Sequence, residues 1–265
     1  MRSRSSGLWI LSFILVLAAG VYQRLTGPTY PVRGRMMVAD QEVRFQLPTS
    51  TDAAGGAEVR LAVPERSVQG FIEYRRTPSH DEWRRDELER DEGFLVARIP
   101  QQPPAGKVMY RILLGAGNDM VPLRPEPVVI RFKGKVPWYV LWPHVVAMFL
   151  AMLFSMRAGM EAFVRGPDIY RLSAWTVILL GIGGFILGPV MQKLAFASFW
   201  TGWPLGTDLT DNKTTAAALF WIIALWRLRK DQKARSWPIA ASIVLFLVYL
   251  IPHSLLGSEI DYTQT

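Results

Sequence analysis

Cysteine is absent from this 265-residue chain, which removes disulfides, thiolate metal sites and cysteine nucleophiles at once. Histidine is scarce: His80, His144 and His253 are the only three. No phosphate loop, dinucleotide fingerprint or nucleophile elbow occurs. The glycines Gly181, Gly183 and Gly184 sit in an apolar run rather than after a strand, so they have no phosphate to cradle. The most informative absence is of charge. The stretches 8–22, 136–156, 173–192, 214–226 and 237–251 contain no Asp, Glu, Lys or Arg, although the intervening sequence is charged in the ordinary way. Such segregation means two solvents, water and lipid.

The net charge of +8 raises the question of nucleic acid, and its location answers it. Arg2 and Arg4, 157–171 and 227–235 carry ten Lys/Arg against three Asp/Glu, whereas 27–135 holds 17 Lys/Arg against 15 Asp/Glu. Basicity concentrated beside apolar runs is the signal that keeps loops inside the cytoplasm, so no nucleic-acid partner is expected. Arg2 and Arg4 ahead of the apolar run Leu8 to Tyr22 suit a signal peptide or a signal anchor. Ala18-Ala19-Gly20 is a poor cleavage region, and residues 1–26 are read as a retained anchor.

Residues 27–135 alternate polar and apolar side chains in short runs bounded by Gly, Pro and Asp, the pattern of half-buried strands. The runs 35–38, 42–47, 58–63, 71–75, 94–98, 108–114 and 128–132 predict about seven strands, which fits an immunoglobulin or fibronectin III-like sandwich outside the cytoplasm. The charged insert 80–92 reads as a solvated loop or short helix. The lack of cysteine does not argue against export, since a domain of this size can rely on its core.

Residues 136–265 predict four transmembrane helices behind the aromatic belt of Trp138, Tyr139 and Trp142. Arg157, Arg165 and Arg171 place the end of the first inside, and Arg227 to Arg235 do the same for the third. The outer-face loop 194–213 and the tail 252–265 then share one side with the sandwich. The expected architecture is a membrane protein of mixed α and β structure, an anchor, a sandwich and a four-helix bundle, with the N-terminus cytoplasmic and the C-terminus periplasmic.

Three segments carry a resemblance: Ile99 to Tyr110, Trp200 to Lys213 and Pro252 to Tyr262. Together they resemble an uncharacterised family of bacterial inner-membrane proteins with a fibronectin-like domain outside the membrane. The resemblance spans nearly the whole chain. It implies a bacterial inner membrane and this architecture, and supplies no catalytic residues.

The uncharged run 214–226 is too short to span a bilayer, which takes about 20 residues. Starting the helix nearer Leu209 would bring Asp211, Asn212 and Lys213 to membrane depth, where ionisable groups are costly and mark functional sites. The plain alternative is that Thr210 or Asp211 caps a short helix while Lys213 reaches the interface. If 200–213 and 252–262 meet, then Asp208, Asp211, Asn212, Lys213, His253, Glu259 and Asp261 form one polar cluster at the outer face. Within that cluster His144, His253, Asp211 and Glu259 offer the imidazoles and carboxylates a divalent metal prefers. No HxxxH or HExxH spacing accompanies them, and interfacial hydrogen bonding is the plainer role for both histidines. Haem is not expected, because both would lie at one depth. Met148, Met152, Met156 and Met160 recur every four residues, which suits adaptable packing better than a copper path.

The resulting expectation is an envelope interaction or accessory protein, with the lipid bilayer and an envelope protein as partners. A membrane-embedded metal-binding protein or enzyme, with its site between bundle and sandwich, is the rival reading. A transporter component is the third, weakened by the lack of charge in mid-membrane.

Overall fold

The computed structural model describes every residue except 1, 40, 118, 253–256 and 265. The chain combines an apolar N-terminal helix, a β-rich middle region and several further helices. Three helices, Ser5–Thr26, Trp138–Phe163 and Ile169–Phe196, are long and apolar enough to cross a membrane. The residues gather into two compact units.

The helical unit comprises Met1–Gly27, Val136–Leu194 and Ser198–Ser258. Its helices are α1 (Arg2–Thr26), α2 (Trp138–Phe163), α3 (Ile169–Leu180), α4 (Gly188–Phe196), α5 (Leu209–Lys230) and α6 (Ser236–Leu250), with a π-helical segment, Gly181–Leu187, joining α3 to α4. Except for α6, which nearly coincides with its uncharged run, each begins or ends a few residues beyond the run that announced it, because helix ends tolerate polar groups that can still reach water. The α5 helix has 22 residues but is polar at both ends, and α6 has only 15.

The packing inside this unit inverts that of a water-soluble bundle. Ala151, Ala158, Ala217, Ala224 and Ala241 are buried, while Ile10, Phe13, Leu17, Ile186 and Leu247 point outward. Small residues let helix backbones approach closely, and large apolar ones suit a hydrocarbon solvent. Met152 and Trp221 fill the core between them, with Met148 and Met156 packed alongside. Three of the four methionines in the stripe thus serve packing, while Met160 Sδ lies 3.4 Å from the Ser12 hydroxyl. Gly183 and Gly184 act similarly: a Cβ on the first would lie 2.8 Å from Met148 Sδ, and one on the second 2.7 Å from Thr214 Cγ2.

The β unit comprises Pro28–Lys135, Ala195–Ala197 and Glu259–Thr265. The helical unit ends at Ser258 and the β unit takes up the chain at Glu259. Its strands are β1 (Val32–Val38), β2 (Gln41–Leu47), β3 (Ser50–Asp52), β4 (Ala57–Ala62), β5 (Val68–Arg76), β6 (Arg84–Glu87), β7 (Glu89–Asp91), β8 (Phe94–Ile99), β9 (Lys107–Ala116), β10 (Val121–Pro122) and β11 (Val128–Lys133). One sheet runs β3-β11-β9-β5-β6 with β10 also on β9, a second runs β4-β8-β7, and β1 pairs with β2. All pairs are antiparallel except β3 with β11.

Alternation decides which face is buried. In β9, Val108, Tyr110, Ile112 and Leu114 turn inward; Val59 and Leu61 of β4 and Leu95, Ala97 and Ile99 of β8 do so from the other sheet. Both sheets feed one core, and each large aliphatic or aromatic side chain in it contributes about 1.5–3 kcal/mol. Buried Tyr110 donates its hydroxyl to the Pro48 carbonyl at 2.9 Å, so its polar end is satisfied.

The insert 80–92 departs from expectation. Instead of a loop or helix it forms β6 on β5 and β7 on β8, with Leu88 between them only 5% exposed. A single apolar residue in a charged run anchors the chain as it passes from one sheet to the other. The flanking charges, exposed along β6 and β7, suit edge strands that must not pair with other chains.

Candidate functional site

Four of the polar residues singled out in the sequence, Asp208, Asp211, Asn212 and Lys213, stand at the start of α5. Asp208 caps this helix, accepting from the Thr210 and Asp211 backbone N–H groups at 2.7 and 3.4 Å through Oδ1. The cap is thus Asp208, two residues before Thr210 and three before Asp211, and its non-helical backbone lets the carboxylate fold back on the first turn. Its Oδ2 accepts from the Ser258 N–H at 2.9 Å and from the hydroxyls of Ser258 and Thr201, both at 3.2 Å. Asp211, in the first turn, accepts through Oδ2 from the Thr201 and Gly202 N–H groups at 2.8 and 2.9 Å and from Gln192 Nε2 at 3.2 Å. Each carboxylate is only 8% exposed, and the N-terminal end of the helix dipole favours its negative charge.

Gly202 is required by this closeness. A Cβ there would lie 2.4 Å from the Asp211 Cβ. Asn212 Oδ1 accepts from the Trp203 N–H at 2.7 Å, which fastens the Trp-Gly-Trp turn to the helix. Lys213, 7% exposed, donates to the Ile251 carbonyl at 2.6 Å. That carbonyl is one of the orphan acceptors at the end of α6, so the ammonium finds a backbone dipole rather than a carboxylate.

Segments 200–213 and 252–262 therefore meet, and they meet at Ser258. Its hydroxyl lies 2.7 Å from Thr201 Oγ1 and 3.1 Å from Gln192 Nε2. Gln192 also lies 2.6 Å from Thr201 Oγ1, giving its two N–H groups three neighbouring acceptors. Neither Gln192 nor Ser258 was anticipated, although Gln192 is the lone amide closing the uncharged run 173–192 and was the available clue. The network's donors and acceptors are spent on one another, and it makes a latch for the α5 end.

The remaining candidates lie elsewhere. Glu259 and Asp261 belong to the β unit, where Glu259 is paired with Lys107, and Asp261 accepts from the Thr263 N–H and hydroxyl at 2.9 and 2.5 Å. His144 Nδ1 lies 3.0 Å from the Gly183 carbonyl of the π-helical segment. His253 lies outside the described residues. Among the described residues, no three of His, Asp and Glu come together as a group able to hold a metal ion.

The β unit carries a second polar feature. The guanidinium groups of Arg75 and Arg111 both pack on the Trp83 ring, 5.0 and 5.1 Å from its centroid. Glu73 fixes one of them, bound to Arg111 Nε at 2.5 Å, and also holds Arg85 at 2.7 Å. Beside this array a cleft of about 230 Å³ is lined by Tyr74, Arg76, Asp81 and Gln102 among others. The Arg76 guanidinium grips the Asp81 carboxylate at 2.6 and 2.9 Å and holds its pKa below the usual carboxylate range.

No protein-family model matches the chain, and neither a curated protein nor a solved structure is similar to it. The family resemblance carried by 99–110, 200–213 and 252–262 gains no support from these comparisons.

Proposed function

We propose that the chain is a multi-pass protein of the bacterial inner membrane that displays a binding module in the periplasm. In this reading the N-terminus is cytoplasmic, all five long helical segments cross the bilayer, and the C-terminus is periplasmic. The β unit is an immunoglobulin or fibronectin III-like sandwich that engages an envelope protein. Two sheets sharing one core support the sandwich, and the basic residues clustered at 157–171 and 227–235 support the orientation.

The observation that carries the reading is the Trp83 array. Trp and Arg are among the residues most enriched at the energetic centres of protein interfaces, and here a tryptophan packs with two arginines, one of which is fixed by a buried glutamate. The latch at α5, by contrast, has its hydrogen-bonding groups engaged within the chain, and nothing in its geometry favours catalysis or transport.

Two measurements test this. Reporter fusions after Lys135, near Thr207 and at Thr265 are expected to read periplasmic, and fusions near Gly166 and Lys233 cytoplasmic. A photo-crosslinking residue at position 83 in intact cells is expected to trap a discrete envelope protein, whereas one at Glu58 traps none. Equal trapping at both positions, or none at either, removes the binding-module reading.

A further inference from the structure

A cavity of about 440 Å³ opens among α1, α2 and α3, lined by Ser5, Trp9, Phe154, Arg157, Asp168, Arg171 and their neighbours Leu172 and Trp175. One wall is an aromatic ladder. Trp9 and Phe154 meet edge to face at 5.4 Å, and Phe154 and Trp175 lie 6.3 Å apart. These rings stand near one end of three helices that are apolar enough to span a membrane, the depth at which Trp sits in a bilayer interface.

The polar wall holds three charges in two different states. Arg157 is only 2% exposed, pairs with Glu161 at 2.6 Å and stacks over Trp9 at 5.5 Å. Its charge is thereby compensated, but its Nε is buried with no hydrogen-bond partner. A buried orphan donor of this kind costs free energy and asks for an acceptor. Asp168 and Arg171 are different. They stand three residues apart at the start of α3 and line the same cavity, yet form no ion pair with each other or with any described residue. The cavity therefore presents an unpaired carboxylate and an unpaired guanidinium against an aromatic wall, with the buried Arg157 behind them.

We propose that this cavity binds the headgroup of a zwitterionic phospholipid, one carrying both a phosphate diester and a primary ammonium. The phosphate lies against Arg171, the ammonium against the Asp168 carboxylate, and the start of the acyl chains along Trp9, Phe154 and Trp175. A singly anionic headgroup would leave Asp168 unmatched and repelled. The proposal needs α1, α2 and α3 to lie in a bilayer, and is independent of the role of the β unit and of which face is cytoplasmic.

The test is lipid retention by the purified, delipidated full chain, measured by native mass spectrometry with phosphatidylethanolamine and phosphatidylglycerol of matched acyl chains. The wild type is expected to retain phosphatidylethanolamine in preference to phosphatidylglycerol by about fivefold, and Arg171→Gln to lose about that factor for both lipids. Asp168→Asn is expected to abolish the preference while leaving phosphatidylglycerol binding intact or improved. Both positions are exposed, so these variants fold if the wild type does, and retained thermal unfolding verifies it. Soluble glycerophosphoethanolamine distinguishes headgroup from chain: competition in the millimolar range is expected, because the site reads the headgroup. Equal retention of the two lipids by the wild type, an unchanged preference in Asp168→Asn, or competition by inorganic phosphate as effective as by glycerophosphoethanolamine would each overturn the proposal.

Discussion

Arg157 and Glu161 stand one helical turn apart in α2 and are joined at 2.6 Å, with their side chains 3% and 5% exposed. Glu161 also accepts from the Asp168 N–H at 3.1 Å, so one carboxylate ties α2 to the loop that opens α3. Removing one partner leaves an uncompensated charge in a dry place. Glu161→Gln is expected to destabilise the helical unit by about 3–5 kcal/mol, and the double change Arg157→Met with Glu161→Leu by much less. Thermal unfolding in detergent checks both, and additivity of the two single changes would show that the pair is not coupled.

The latch at α5 predicts a stability effect without a metal effect. Asp211→Asn replaces an acceptor of three hydrogen bonds with a group that in part donates, and is expected to cost about 1–3 kcal/mol. Asp208→Ala loses the cap as well as the tie to Ser258, and exceeds the roughly 1 kcal/mol of a simple cap. Gly202→Ala forces a Cβ against Asp211 and costs about 1–3 kcal/mol. Chelator should leave the melting temperature of the wild type unchanged. A chelator-dependent loss would revive a metal at this end.

The β unit has its own core, and residues 28–135 expressed alone are expected to be soluble and predominantly β by circular dichroism. Within it, Leu88→Ala should cost about 2–5 kcal/mol, measured by urea unfolding. A loss smaller than 1 kcal/mol, the size of an ordinary surface change, would mean that the crossing point between sheets contributes little.

Acid should weaken that unit through Asp81. Its pKa is held low in the folded state by Arg76, so the pairing contributes fully above the ordinary carboxylate pKa of about 4 and fades as pH falls through the lower folded value. Asp81 is near the surface and solvent screens the pair, so the effect is modest. Between about pH 5 and pH 2 the wild type is expected to lose more stability than Asp81→Asn, and parallel losses would exclude this linkage.

Charge segregation made the helical and β-rich regions legible, and period-2 alternation located seven strands, because both patterns are written in neighbouring residues. The insert 80–92 was not legible, since its strands are specified by pairing with β5 and β8 and by one buried leucine. Asp208 and Asp211 stood out as charges beside an apolar run, but their partners Gln192 and Ser258 are distant in sequence, and these and Thr201 are chemically ordinary. Arg157 was read as a charge marking a helix end. Its i,i+4 spacing from Glu161 was visible, but the burial of the pair depends on how α2 meets its neighbours.

The π-helical segment between α3 and α4 has a geometric consequence. The Gly183 carbonyl receives the Gly188 N–H five residues on, as well as His144 Nδ1, and a wider turn places more residues in each revolution than an α-helix does. The two halves of 169–196 are consequently out of angular step. Within the widened stretch two adjacent glycines face different neighbours, Gly183 towards Met148 of α2 and Gly184 towards Thr214 of α5. The segment works as a phase shifter between the two halves of one continuous apolar helix.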